Sequence, residues 1–170
     1  MFGASSGQYN NNSGTVLNCI ATSGAGLVIN GTSSPASSLL SNITFKGNVN
    51  LSAGVKVTAA SNFRFEHCVF KGCSGTNASG LLLTREDGQF TGVCSFTECV
   101  FQGNANGVWC NKADTNVVNF TRSQFFGNSR GFANGDTTIV SSMRSVNFTD
   151  CYFEDNHFGD ICSYGGAAIS

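Results

Sequence analysis

A single proline stands in the 170 residues, and charged residues make up only 11% of them. Proline removes a backbone donor and is confined to sheet edges, so its scarcity leaves the chain able to form continuous hydrogen-bonded sheet. The formal net charge is −1 and no basic run occurs. A nucleic-acid partner is therefore not expected, because binding phosphates needs a Lys/Arg stripe. No apolar run approaches the ~20 residues that cross a bilayer, so this segment is expected to hold no membrane span. The first 25 residues lack both a charged start and an apolar stretch, and no cleavable signal peptide is visible. Eight cysteines are present, but none forms the close Cys-x2-Cys pair that tight zinc sites favour. Neither a metal nor a cofactor is expected, even with His67 beside Cys68.

What the chain does have is repetition. Phe45-Lys-Gly-Asn48 returns as Phe70-Lys-Gly-Cys73, Phe101-Gln-Gly-Asn104, Phe125-Phe-Gly-Asn128 and Phe153-Glu-Asp-Asn156. In step with it run Gly26-Leu-Val-Ile, Gly54-Val-Lys-Val, Gly80-Leu-Leu-Leu, Gly107-Val-Trp-Cys and Gly131-Phe-Ala-Asn. The second set recurs at intervals of 28, 26, 27 and 24 residues, the range of a stacked repeat rather than a globular domain.

One coil can be laid out from residues 107 to 128. Val108 and Cys110 alternate with Trp109, Val118 and Phe120 with Asn119, and Ser123 and Phe125 flank Gln124. Alternation puts the first-named of each set on one side, where a single coil has nothing to bury them against. Stacked coils about 4.8 Å apart supply the partner and line up two ladders. These are Phe65, Phe96, Phe120, Phe148 and Phe45, Phe70, Phe101, Phe125, Phe153. Nine of the fifteen phenylalanines fall in these columns, which makes them core. The expected fold is all-β: a right-handed parallel β-helix of about six coils, each of three short strands. Residues 1–13 are expected to form a lead-in, and 14–170 a single β-helix domain that reads as a segment of a longer chain.

Three further columns accompany the phenylalanines. Asn48, Asn104, Asn128 and Asn156 sit at a bend, where the amide can bond the coils above and below. Cys68, Cys99 and Cys151, with Ser123 completing the column, read as small, reduced core residues; bridges between stacked neighbours are sterically possible. His67, Glu98, Arg122 and Asp150 precede them with alternating sign and read as a register device. The outward positions are Val28, Lys56, Leu82, Trp109 and Ala133 on one strand column, and Thr44, Val69, Val100, Gln124 and Tyr152 on another. Leu82 beside Trp109 and Val69 beside Val100 are expected to expose apolar patches that meet either a neighbouring subunit or a sugar ring.

This pattern of apolar strand, Cys-x-Phe-x-Gly-Asn, Gly and second apolar strand resembles the right-handed parallel β-helix of the pectin-lyase-like superfamily over nearly the whole chain from about Gly14. The resemblance is specific for fold, not for activity. Within it, the Phe-x-x-Asn repeats at residues 45, 101, 125 and 153, with Gly165-Gly-Ala-Ala, are similar to the chlamydial polymorphic membrane proteins, which are autotransporter adhesins. The Gly/Ser/Asn-rich coils, low charge and free cysteines are similar to bacteriophage tailspikes and capsule depolymerases. Both resemblances imply an extracellular, cell-surface or virion-surface protein that recognises a cell-surface polysaccharide or receptor, as a homo-oligomer and as a trimer if of the tailspike type.

The superfamily's polygalacturonase motifs, Asn-Thr-Asp, Asp-Asp, Gly-His-Gly and Arg-Ile-Lys, do not occur. Candidate catalytic carboxylates are Glu86, Asp87, Asp114 and Asp136, which follow the Gly-apolar strand in three consecutive coils. Adjacent coils place such groups about 5 Å apart and alternate coils about 10 Å apart, the separations used by retaining and inverting glycosidases. Candidate ligand-binding residues are Trp109, Leu82, Arg85 and Lys112. The competing reading is ordinary solvated loop charge. Three functions stay open: recognition, a glycan depolymerase on the same rod, and a structural spacer with no site.

Overall fold

The computed structural model describes residues 14–29, 38–58, 62–84, 92–111, 117–135, 145–164 and 168–170. They form a right-handed parallel β-helix of six rungs. The first rung holds β1 (Thr15–Asn18), β2 (Ala25–Ile29) and β3 (Ser38–Ser41), and the second β4 (Ile43–Lys46), β5 (Ala53–Val57) and β6 (Phe63–Glu66). The third holds β7 (Val69–Lys71), β8 (Ser79–Thr84) and β9 (Val93–Thr97), and the fourth β10 (Val100–Gln102), β11 (Asn106–Asn111) and β12 (Val117–Thr121). The fifth holds β13 (Gln124–Phe126), β14 (Arg130–Asn134) and β15 (Ser145–Thr149), and the sixth β16 (Tyr152–Glu154), β17 (Gly159–Ser163) and β18 (Ala168–Ile169). Every third strand pairs in parallel, giving three six-stranded sheets.

Both phenylalanine ladders form in the expected register. Phe45, Phe70, Phe101, Phe125 and Phe153 stack with ring centroids 5.1, 4.9, 4.7 and 4.6 Å apart. Phe65, Phe96, Phe120 and Phe148 stack at 5.1, 5.0 and 5.1 Å. The two ladders meet edge to face, as at Phe120 and Phe125 (5.2 Å), so rings within the ladders, such as Phe101, Phe120 and Phe125, satisfy both favoured aromatic geometries at once. Phe132 adds a further edge contact to Phe120 and Phe148.

The glycines of the two phrases do different work. Gly103 and Gly127 adopt φ of 62°, and Asp155 holds the same place in the sixth rung at 53°, a left-handed angle that Asp tolerates better than most residues. Gly131 instead faces the neighbouring rung: a Cβ there would lie 2.6 Å from the Asp160 carbonyl oxygen. Only a bare Cα lets adjacent rungs approach at this point.

The bend between the third sheet and the next rung is a single left-handed residue. Asn42, His67, Glu98, Arg122 and Asp150 occupy it with φ of 56°, 54°, 53°, 50° and 52°. Such angles are unfavourable for His, Glu and Arg. They are held by backbone bonds to the next rung, from His67 N to Thr97 O (3.0 Å), Glu98 N to Thr121 O (2.9 Å) and Arg122 N to Thr149 O (2.8 Å). The following residue points inward. Cys68, Cys99, Ser123 and Cys151 there donate to the carbonyls of Leu40, Phe65, Phe96 and Phe120 of the preceding rung.

All eight cysteines are free, and Cys68, Cys73, Cys94, Cys99 and Cys110 are buried. Burial pushes the Cys94 thiol up to about 12 and raises Cys99 and Cys110 well above the ordinary thiol value. Because the thiolate is the reactive form, a maleimide reagent is expected to leave Cys94, Cys99 and Cys110 unmodified in the native protein. They should label only on denaturation, while half-buried Cys19, Cys151 and Cys162 label earlier. Mass mapping of the labelled peptides checks this, and prompt native labelling of Cys99 or Cys110 contradicts the packed thiol column.

The outward columns pair as expected, Val28–Lys56–Leu82–Trp109–Ala133 and Thr44–Val69–Val100–Gln124–Tyr152. Their exposure is not as expected. Val69 is 2% and Val100 1% exposed, and Leu82 and Ala133 are also buried, so the chain by itself covers these patches. Lys56 and Trp109 are partly exposed, and Val28 and Tyr152 stand at 51% and 50%. Alternation tells which side a residue takes, not whether that side is wet.

Candidate functional site

Of the eight candidate residues, Leu82 and Trp109 are described; Arg85, Glu86, Asp87, Lys112, Asp114 and Asp136 lie outside the described residues. Trp109 is the outward residue of β11 between Leu82 of β8 and Ala133 of β14. Its indole Nε1 donates to the Gly135 carbonyl at 3.1 Å. That bond ties the ring to the next rung and uses its one donor. On the same strand end the amide oxygen of Asn111 is buried without a hydrogen-bond partner, as is that of Asn134 one rung on. Each is an unmet acceptor worth about 1–3 kcal/mol.

A second place is built by link length. Between the first and second sheets, β7 reaches β8 through residues 72 to 78, whereas β10 reaches β11 through 103 to 105 and β13 reaches β14 through 127 to 129. The sixth rung lengthens again, through 155 to 158. Two short links between two longer ones leave a notch of about 230 Å³, with Thr76 and Asn77 at one end and Phe158 at the other. Its floor is Ala105 and Asn106 on one rung and Ser129 and Arg130 on the next.

The notch is held rigidly. Asn106 Nδ2 donates to the Ala78 carbonyl (3.0 Å) and Arg130 Nη1 to Asn106 Oδ1 (3.3 Å). Backbone bonds join successive floors, from Asn106 N to Ala78 O (2.9 Å) and from Arg130 N to Ala105 O (2.9 Å). Phe158 N donates to Ser129 O at 2.7 Å, which fixes its backbone while the side chain stays in solvent at 68% exposure. His157 packs its ring edgewise on Phe158 (4.5 Å). No motif marked this site, but one signal was present: Phe70 to Gly80 spans ten residues, against six from Phe101 to Gly107 and from Phe125 to Gly131.

The charged column forms an exposed chain of pairs with Glu98 at its centre. His67 Nε2 lies 2.8 Å from Glu98 Oε2, and Arg122 Nε donates to Glu98 Oε1 at 2.9 Å. The Arg122 hydrogen bond, the largest effect, holds the Glu98 carboxyl below its ordinary value; burial opposes it, and the charges of His67 and Arg122 add to the lowering. An acid kept ionised suits register between rungs, not proton donation.

Three parallel ladders, each rung closed by a left-handed bend and a short turn, define a parallel β-helix. The chain belongs to the right-handed beta-helix family: the family model described as "Right handed beta helix region" matches residues 4–142. No curated protein and no solved structure gives a significant match.

Proposed function

We propose that this β-helix is a recognition rod, exposed on a cell or virion surface, that binds a cell-surface glycan or receptor. The observation that carries the reading is the notch with Phe158 at its rim. A pyranose has an apolar C–H face and a rim of hydroxyls. An exposed aromatic beside a floor of amide, hydroxyl and guanidinium groups matches both. At about 230 Å³ the notch is smaller than an enclosed ligand pocket, so it seats one unit of a longer chain laid across the stacked turns. Trp109, between its register partners Leu82 and Ala133 on the adjoining sheet, would extend such a surface.

A glycan array probed with the whole protein tests this. The wild type is expected to retain a defined subset of glycans, and Phe158→Ala to weaken retention about tenfold by loss of the aromatic contact. Array silence, or binding indifferent to Phe158→Ala, overturns the reading in favour of a spacer.

A further inference from the structure

The described arginines differ in how they are paired. Arg64 meets Glu66 at 2.6 Å and Arg122 meets Glu98 at 2.9 Å. Arg130, half-buried in the notch floor, meets no carboxylate among the described residues; its side-chain bond there is from Nη1 to the neutral Asn106 amide oxygen. A guanidinium carries five donors in a planar fork, so most of Arg130's capacity is unused. Among the described residues, no Asp or Glu lines the notch. The neighbouring Asp160 carboxylate accepts from Asn156 Nδ2 at 2.9 Å. Ser79, the register partner of Asn106, is buried with its hydroxyl unpartnered, a further polar group beside the floor.

We infer that Arg130 makes the notch a seat for the anionic group of an acidic glycan, a carboxylate or a sulfate ester. This rests on the recognition reading above and specifies its ligand. A cation left without a counter-charge among amides and hydroxyls attracts an anion, and the fork shape favours two-point binding of a carboxylate or sulfate over a single point charge. Arg130 pairs in register with Gly159, immediately after Phe158, so guanidinium and phenyl ring belong to adjacent rungs, about 4.8 Å apart along the rod. One pyranose bearing an acidic substituent spans that distance, with its face on Phe158 and its anion on Arg130.

The test uses the whole protein and oligosaccharide pairs that differ only in the anionic group: a uronic-acid oligomer with its carboxyl-reduced form, and a sulfated oligomer with its desulfated form. Calorimetric Kd values are expected to favour the charged member of one pair by at least about tenfold, the range for a charge-assisted hydrogen bond, and the pair showing the gap identifies the anion. Arg130→Gln should close the gap, Arg130→Lys should keep part of it, and Phe158→Ala should weaken both members alike, with each variant's melting curve recorded alongside. Equal affinity for charged and neutral members, or a gap that survives Arg130→Gln, removes the anion seat and leaves glycan recognition standing. If wild type binds no member of either pair and no array glycan, both fall together.

Discussion

Phe125→Ala is expected to lower the unfolding free energy by about 3–5 kcal/mol, the range for deleting a fully buried aromatic. Phe125 is wholly buried. It stacks on Phe101 at 4.7 Å and Phe153 at 4.6 Å, and meets Phe120 and Phe148 edge-on at 5.2 and 5.9 Å. Its neighbours are bonded into rigid rungs above and below, so they cannot close the cavity, which places the loss toward the upper part of that range. Phe148, only partly buried nearer the end of its ladder, should lose less on the same change. Chemical denaturation of both variants checks the order. An unchanged midpoint for Phe125→Ala, or a greater loss at Phe148, contradicts a core organised around continuous ladders.

The ladders were legible because stacking turns a sequence interval into a spatial neighbour. Once Phe101 and Phe125 are one period apart, alternation fixes the side each takes, and the 4.7 Å stack follows. The left-handed bend at Glu98 and Arg122 was legible only as a column of polar residues; its φ values come from a backbone that must turn in one residue so that Cys99 and Ser123 point inward. Cover was not legible at all. Val69 and Val100 alternate outward, yet their burial depends on what the rest of the chain lays against them. The notch at Arg130 stayed hidden for a related reason: it comes from a difference between link lengths in four successive rungs, and no single residue type announces it. Trp109 was picked out by side-chain chemistry, but its bond to Gly135 depends on the next rung's position.

The Asn column is the second place where one substitution should be felt along the rod. Asn128 Nδ2 donates to the Phe101 carbonyl at 3.0 Å and to Asn156 Oδ1 at 3.0 Å, while its Oδ1 accepts from the Asn104 backbone N–H at 3.0 Å and from Asn104 Nδ2 at 3.1 Å. Asn104 repeats the pattern one rung earlier, donating to Phe70 O and accepting from Cys73 N. There the column stops, because Cys73 has no amide to pass it on. Asn48 instead donates to Cys19 O and Ala21 O of the rung before it. Asn128→Ala strands the Asn104 donors and the Phe101 carbonyl in a buried turn, and at about 1–3 kcal/mol per unmet group the expected loss is about 3–5 kcal/mol. Asn128→Asp separates the two halves of the amide's role: it keeps the acceptor for Asn104 but loses the donor to Phe101 and sets a carboxylate oxygen against that carbonyl and Asn156 Oδ1. The charged form of that Asp is disfavoured on both counts, so its folded pKa lies above the unfolded value. The variant should therefore be least stable above the folded pKa and regain stability as pH falls through it toward the unfolded one. Denaturant midpoints for wild type, Asn128→Ala and Asn128→Asp across pH 4 to 8 check this. If Asn128→Asp tracks wild type at pH 8, the side chain is not part of a buried amide column.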